Sequence, residues 1–189
     1  MIKHLLRSVF MIVVVFSFSI TAIQAEEIMF KEQVSGRVVS NPIDINSDGI
    51  PASTGIYEGK STKGAVTVHA FNETSIVVSP SHCPPGTVEL LMDARNIRRF
   101  ANGDMLFTQS TEHSFVCADL TTGKFSFESK LNFIGGTGKY ENATGTLLSI
   151  GDGTALVLDP NTLMNFSAIT MKSKGKLILV DHDSEKKHK

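Results

Sequence analysis

Apolar and polar residues alternate with a period of two along much of the chain, most clearly in residues 124–133. One face of this segment carries Phe125, Phe127, Ser129, Leu131 and Phe133, and the other carries Lys124, Ser126, Glu128, Lys130 and Asn132. Because successive side chains of a strand point to opposite faces, this pattern predicts a strand with one buried and one solvated side.

Similar short runs recur along the chain and are separated by Gly, Asn, Asp and Pro, whereas no segment has a helical period long enough to form a layer of helices. The remaining clear strand predictions are residues 30–39, 56–61, 65–71, 75–78, 105–109, 113–118, 144–150, 155–158, 166–171 and 176–180. Many short strands at this spacing predict an all-β sandwich or closed barrel. Closure has the advantage of leaving no unpaired strand edge exposed.

Residues 87–100 are the one ambiguous segment, because they contain several good helix formers and are followed by Asn102 and Gly103, which could end a helix. At about 100° per residue, however, the apolar side chains would scatter around a helix axis. On a strand, Val88, Leu90, Met92 and Ala94 align opposite Glu89, Asp93 and Arg95. The alternation therefore favours a strand, with a bend near Asn96.

The N-terminus has the pattern of a secretory signal peptide. Basic Lys3 and Arg7 precede an apolar run over residues 9–20 and the small residues Ala22 and Ala25. The favoured cleavage is after Ala25, with Ala22 as the alternative. The apolar run is shorter than the roughly 20 residues of a spanning helix, so an uncleaved anchor is disfavoured. The pattern predicts an exported protein, periplasmic or secreted, with no integral membrane segment after cleavage.

Cleavage divides the 189 residues into a signal peptide over 1–25, one domain over 26–180 and a charged tail over 181–189. The chain is 41% hydrophobic and has a net charge of -1. Without Lys3 and Arg7, 16 basic residues remain against 19 acidic ones, a net charge of -3. This balance predicts no basic patch for nucleic acid or an anionic membrane.

Cys83 and Cys117 are the only cysteines. An even pair in an exported chain predicts one structural disulfide. A nucleophilic cysteine would need a nearby base, but the neighbouring His82 would face the opposite way on a strand.

A glycine-rich string distinguishes the second half of the chain, and it lacks the following helix and Lys-Ser or Lys-Thr pair of a phosphate-binding loop. Together with other positions, it resembles exported bacterial proteins of the allene oxide cyclase and dirigent-like barrel superfamily. The resemblance rests on Cys83, Phe100-Ala-Asn-Gly-Asp-Met-Leu106, Cys117, Gly123, Gly135-Gly-Thr-Gly-Lys-Tyr140 and Ala143-Thr-Gly145. It implies an eight-stranded antiparallel β-barrel whose interior can hold a small apolar molecule.

No catalytic set transfers from that superfamily residue by residue. The candidates for polar groups inside the barrel are residues in or beside predicted strands, namely Tyr57, Glu58, Asp93, Arg95 and Tyr140. For Asp93 and Arg95, which share a strand face about 7 Å apart, an exposed ion pair is the simpler interpretation.

Asp44, Asn46 and Asp48, followed by Gly49, match the first half of a calcium loop. The twelfth position is Gly55 rather than Glu, so the second half does not match. Weak calcium binding and a plain turn formed by Asx chemistry are the two interpretations, and the turn is favoured. No other cofactor is predicted.

The sequence favours a non-catalytic module that binds a small apolar ligand or a partner, and it carries no signal for an oligomeric state. One alternative is a cyclase or isomerase acting on a reactive apolar substrate inside the barrel. Another is a packed structural or surface-associated protein, which would have a filled interior and an exposed apolar patch.

Overall fold

The computed structural model describes residues 25–40, 44, 49, 52–77, 82–111, 114–159 and 164–180. The nine strands within these ranges are β1 (Ala25–Ser40), β2 (Ala52–Ser61), β3 (Gly64–Ile76), β4 (Val88–Phe100), β5 (Met105–Ser110), β6 (Phe115–Ala118), β7 (Lys124–Gly136), β8 (Thr144–Asp159) and β9 (Met164–Val180). A single turn of 3₁₀ helix, Gly138–Tyr140, follows β7. The all-β prediction is confirmed.

The strands close into an antiparallel barrel in the order β3-β2-β1-β9-β8-β7-β5-β4, and β3 pairs with β4 to complete the circuit. The remaining strand, β6, also lies between β4 and β7, where it continues the line of β5. The eight-stranded antiparallel barrel is therefore confirmed, with one wall position divided between two short strands.

Three predicted interruptions are wrong, because β3, β8 and β9 each run through a break that the sequence suggested. In β8 the apparent break comes from Gly151 and Gly153, which pair with Phe127 and Phe125 of β7. The two aromatic rings lie over these glycines, and a Cβ at either position would collide with ring atoms. The glycines thus allow close packing of large cross-strand neighbours rather than ending the strand.

The strand prediction for residues 88–100 is confirmed by β4, whose interior residues include Ala94, Asn96, Arg98 and Phe100. The predicted domain limits fall close to the ends of the barrel wall, where Ala25 pairs with Val180. The predicted signal peptide, apart from Ala25, and the predicted tail lie outside the described residues. Within the described ranges no helix is long and apolar enough to cross a membrane.

One end of the barrel is filled by large apolar side chains. Phe30 meets Phe133 edge to face with ring centroids 5.7 Å apart, and Phe100 packs on Tyr140 at 4.9 Å. Leu106, Leu131, Leu147 and Leu177 are buried in the same core cluster. Such interdigitated packing supplies most of the stability of a barrel of this size.

The predicted disulfide between Cys83 and Cys117 is present, with Cα atoms 5.4 Å apart. It fixes the segment before β4 against the outer face of β6. Beneath this segment lies Glu89, whose side chain is buried although its position belongs to the outer face. The backbone N–H and Nδ1 of His82 each lie 2.9 Å from a carboxylate oxygen of Glu89. The cysteines are therefore structural and stand outside the barrel interior.

Candidate functional site: the barrel cavity

Toward the end opposite the packed core, the barrel encloses a cavity of about 660 Å³, a volume within the range of small-molecule sites. It extends to the barrel end where β1 leads into β2, and where residues 119–123 connect β6 to β7. Asp119 and Lys124 lie on this rim, whereas most of the wall is apolar.

Small side chains create this space. Five alanines line the cavity, namely Ala52, Ala70, Ala94, Ala118 and Ala155. The larger apolar lining residues, among them Met92, Phe125, Phe127 and Met171, stand along the walls without filling the centre. At the opposite end Phe, Tyr and Leu occupy the interior. The change from large to small interior residues along the barrel therefore determines where the cavity lies.

The floor of the cavity is polar, because Asn96, Ser129 and Ser149 line it between the walls and the packed core. Directly beneath lies an ion pair between Glu32 and Arg98, both with fully buried side chains. Arg98 Nε donates to Glu32 Oε2 at 3.0 Å, and Nη2 donates to Oε1 at 3.0 Å. The two charges offset each other, so the layer below the cavity carries no net charge.

Hydrogen bonds connect this ion pair to the cavity floor on both sides. Ser173 Oγ donates to Glu32 Oε1 at 3.0 Å and lies 2.9 Å from Ser149 Oγ. Since the only hydroxyl proton of Ser173 is given to the carboxylate, Ser149 donates to Ser173. On the other side Arg98 Nη1 donates to Thr108 Oγ1 at 2.8 Å, and Asn96 Nδ2 donates to the same oxygen at 3.4 Å.

This network fixes what the floor can offer a ligand. The hydroxyl proton of Ser149 is used within the protein, so toward a ligand its oxygen can act only as a hydrogen-bond acceptor. Beyond the bond to Thr108, the side-chain amide of Asn96 still has an oxygen that can accept a hydrogen bond and a second N–H that can donate one. The floor therefore presents neutral hydrogen-bonding groups.

Tyr57 is the one sequence candidate that the structure places in the cavity wall. Its side chain is buried. Burial raises the pKa of Tyr57 above that of a free tyrosine, and a hydrogen bond with the Asn72 side chain opposes this only in part. At neutral pH the phenol is protonated, so Tyr57 can donate a hydrogen bond to a ligand but cannot act as a base.

Tyr140 is buried at the filled end, away from the cavity. Desolvation, together with the nearby charge of Asp104, raises the pKa of Tyr140 to about 12. Within the described part of the chain its hydroxyl has no hydrogen-bond partner. The structure therefore gives this residue a packing role in the core.

Glu58, Asp93 and Arg95 lie on the outer surface, so the expectation that they are interior polar groups is wrong. The physical reason is the period of two: Tyr57 and Ala94 point inward, so their neighbours point outward. Asp93 and Arg95 form the surface ion pair favoured by their spacing, with Arg95 Nη2 3.8 Å from Asp93 Oδ2.

The buried pair Glu32 and Arg98 was missed by the sequence analysis, although the sequence contains a signal for it. Glu32 stands between Phe30 and Val34 on the inward positions of β1, and Arg98 precedes the inward Phe100 by two residues in β4. A charged residue at an inward position of a strand is unusual, and two of them with opposite charge indicate a pair.

The calcium prediction falls mostly outside the described residues, which include Asp44 but neither Asn46 nor Asp48. Asp44 Oδ2 accepts a hydrogen bond from the N–H of Gly49 at 2.6 Å, and Gly49 has a φ of 87°. Among described residues, no group of three or more His, Cys, Asp and Glu side chains could hold a metal ion.

Comparisons of the chain with protein-family models, curated proteins and solved structures gave no match. We therefore infer function from the geometry of the barrel.

Proposed function

We propose that this protein binds one small, mainly apolar molecule in the barrel cavity. The observation that carries the proposal is the 660 Å³ space that alanines leave in an otherwise filled barrel. At roughly 30 Å³ per non-hydrogen atom, it has room for a ligand of about 20 such atoms. A barrel with only a structural role would gain stability from larger side chains at these positions.

The floor supports a more specific ligand class, a molecule with a hydroxyl group at its inner end. A hydroxyl can donate to the lone pairs of Ser149 and can also accept from the amide of Asn96. A carboxylate cannot donate to Ser149, and it would introduce a net charge above the neutral pair of Glu32 and Arg98. A pure hydrocarbon would leave unused the hydrogen-bonding capacity that Ser149 and Asn96 retain beyond their bonds to Ser173 and Thr108.

Binding is tested with the neutral apolar fluorophore N-phenyl-1-naphthylamine. We expect saturable binding to the protein, weakened at least tenfold in the double variant Ala70→Phe/Ala94→Phe, because both substitutions fill the cavity. The matched control Ala65→Phe/Ala168→Phe adds the same side chains on the outer face and should bind as the unmodified protein does. Circular dichroism checks folding, and Ala94→Leu is the milder variant. Absence of saturable binding, or an equal loss in the control, would refute the proposal.

The ligand class is tested by displacing the fluorophore with a long-chain alcohol and the carboxylic acid of equal chain length. The alcohol should displace it at lower concentration. Ser149→Ala should reduce this preference, whereas Ser126→Ala on the outer face of β7 should leave it unchanged. A preference for the acid would contradict the role of the floor while leaving cavity binding intact.

An isomerase or cyclase is the second candidate, because Tyr57 places a protonated phenol in the cavity wall. Such an enzyme would use Tyr57 to donate a hydrogen bond to a developing negative charge on a guest. If a molecule that copurifies is turned over, Tyr57→Phe should slow turnover and leave the binding of N-phenyl-1-naphthylamine unchanged.

The proposed binding function agrees with what the resemblance to allene oxide cyclase and dirigent-like barrels implies for a barrel interior, and membership of that superfamily stays a prediction. Export to the periplasm or medium is likewise proposed. The disulfide supports it, because such bonds persist in oxidising compartments. The test is mass spectrometry of the protein recovered after expression, which should show a chain that begins at Glu26.

A further inference from the structure

A concentrated group of lysines lies on the outer face of the barrel, centred on β9. Lys172, Lys174 and Lys176 alternate with inward residues, so all three point to solvent. On the neighbouring strand, Lys31 is the direct cross-strand partner of Lys174. We call these four residues the basic face. Side chains two positions apart on a strand are about 7 Å apart, and direct partners are about 5 Å apart at Cβ.

Acidic residues do little to neutralise the basic face. Glu27 Oε2 lies 2.7 Å from Lys176 Nζ at one end. No carboxylate in the described part of the chain comes within 4.0 Å of the ammonium groups of Lys31, Lys172 or Lys174. The net charge of -3 expected for the processed chain therefore conceals a local positive potential, contrary to the sequence expectation of no basic patch.

The arrangement has a cost to the folded protein, since like charges placed directly opposite each other in a sheet are destabilising. Lysines often protect an exposed strand edge from pairing with another chain. This explanation does not apply, because β9 is hydrogen-bonded to β1 on one side and β8 on the other. A partner of negative charge would compensate the repulsion between Lys31 and Lys174.

Exposed apolar side chains lie among these lysines. Met29 is the cross-strand partner of Lys176, Leu148 of Lys174 and Ile150 of Lys172. Their exposed fractions are 54%, 37% and 52%. A lipid surface can use both features, because its headgroups attract lysines and its interfacial region accepts apolar side chains. A soluble polyanion would interact with the lysines alone.

We propose that the basic face, with Met29, Leu148 and Ile150, docks the barrel on an anionic lipid surface. The contact is peripheral: it involves three neighbouring strands on the outside of the barrel, and it does not depend on ligand binding in the cavity. Lysines near an anionic membrane each strengthen partitioning about fivefold.

The protein is purified after export, and its N-terminus is determined by mass spectrometry. The proposal is then tested by co-sedimentation with two kinds of phosphatidylcholine vesicle, one containing phosphatidylglycerol and one lacking it. Binding should require phosphatidylglycerol and fall at an ionic strength of about 1 M, where charges are screened beyond about 3 Å. Lys172→Gln/Lys174→Gln should weaken it about 25-fold. Lys124→Gln/Lys139→Gln removes the same charge from exposed positions elsewhere and should have a much smaller effect.

A further variant distinguishes a lipid surface from a soluble polyanion. Ile150→Ser should weaken vesicle binding and leave any binding to polyphosphate unchanged. Equal binding to vesicles without phosphatidylglycerol, equal losses in the two lysine pairs, or binding to polyphosphate but not to vesicles would each overturn the proposal. Because Lys172 and Lys174 do not line the cavity, Lys172→Gln/Lys174→Gln should leave the binding of N-phenyl-1-naphthylamine unaffected.

Discussion

Replacement of Arg98 by Met should destabilise the barrel by about 4 kcal/mol, since breaking a buried ion pair typically costs about 3 to 5 kcal/mol. The guanidinium and the Glu32 carboxylate are both fully buried, and Arg98 provides three of the four hydrogen bonds shown to that carboxylate. In Arg98→Met, only Ser173 continues to donate to it. A loss of this size is large compared with the free energy of unfolding of a typical domain, which is roughly 5 to 15 kcal/mol.

The pair interaction is isolated by a double-mutant cycle of Arg98→Met, Glu32→Gln and their combination. In the double variant neither side chain is charged, so we expect it to be at least about 2 kcal/mol more stable than the sum of the single losses predicts. Free energies of unfolding come from urea titrations followed by far-UV circular dichroism, because the chain has no tryptophan. Arg95→Met, on the exposed side of β4, is the control and should change stability by less than about 0.5 kcal/mol. Additive losses, or a loss below about 1 kcal/mol for Arg98→Met, would refute the reasoning.

Three further predictions concern the disulfide and the tyrosines. The disulfide closes a 34-residue separation and should contribute about 4 kcal/mol by restricting the unfolded chain. Cys83→Ser/Cys117→Ser should therefore lower the free energy of unfolding by that amount, and an unchanged urea midpoint would contradict this reasoning. Tyr140→Phe removes a buried hydroxyl that has no described partner, and thermal unfolding should show equal or higher stability. Ultraviolet titration should detect little ionisation of Tyr57 or Tyr140 below pH 11 in the folded protein, because burial raises the pKa of both. The unfolded state releases the two tyrosine protons near pH 10, so the contribution of the two protonated tyrosines to stability is fully present below that pH. It falls as the pH rises through the folded pKa values, and a free energy of unfolding that rises over this range would contradict the prediction.

The alternation of residues by itself determined that the chain is all-β and that β4 is a strand. It did so because side-chain direction on a strand depends only on position along the chain. The same rule assigns Tyr57 to the interior once a neighbouring residue is known to face outward. The two cysteines likewise predicted their bond without any coordinates, since no other pairing was available.

Only the tertiary structure decided which distant positions meet. Glu32 and Arg98 are 66 residues apart, and their charges come together only because closure of the barrel directs both side chains to one interior layer. The cavity is also a property of the closed wall, since its volume depends on which small side chains face one another across the barrel. The basic face arises in the same way, because strand register brings Lys31 of β1 opposite Lys174 of β9. Composition and net charge are sums over the chain, whereas a site depends on positions in space, which are fixed by long-range strand pairing.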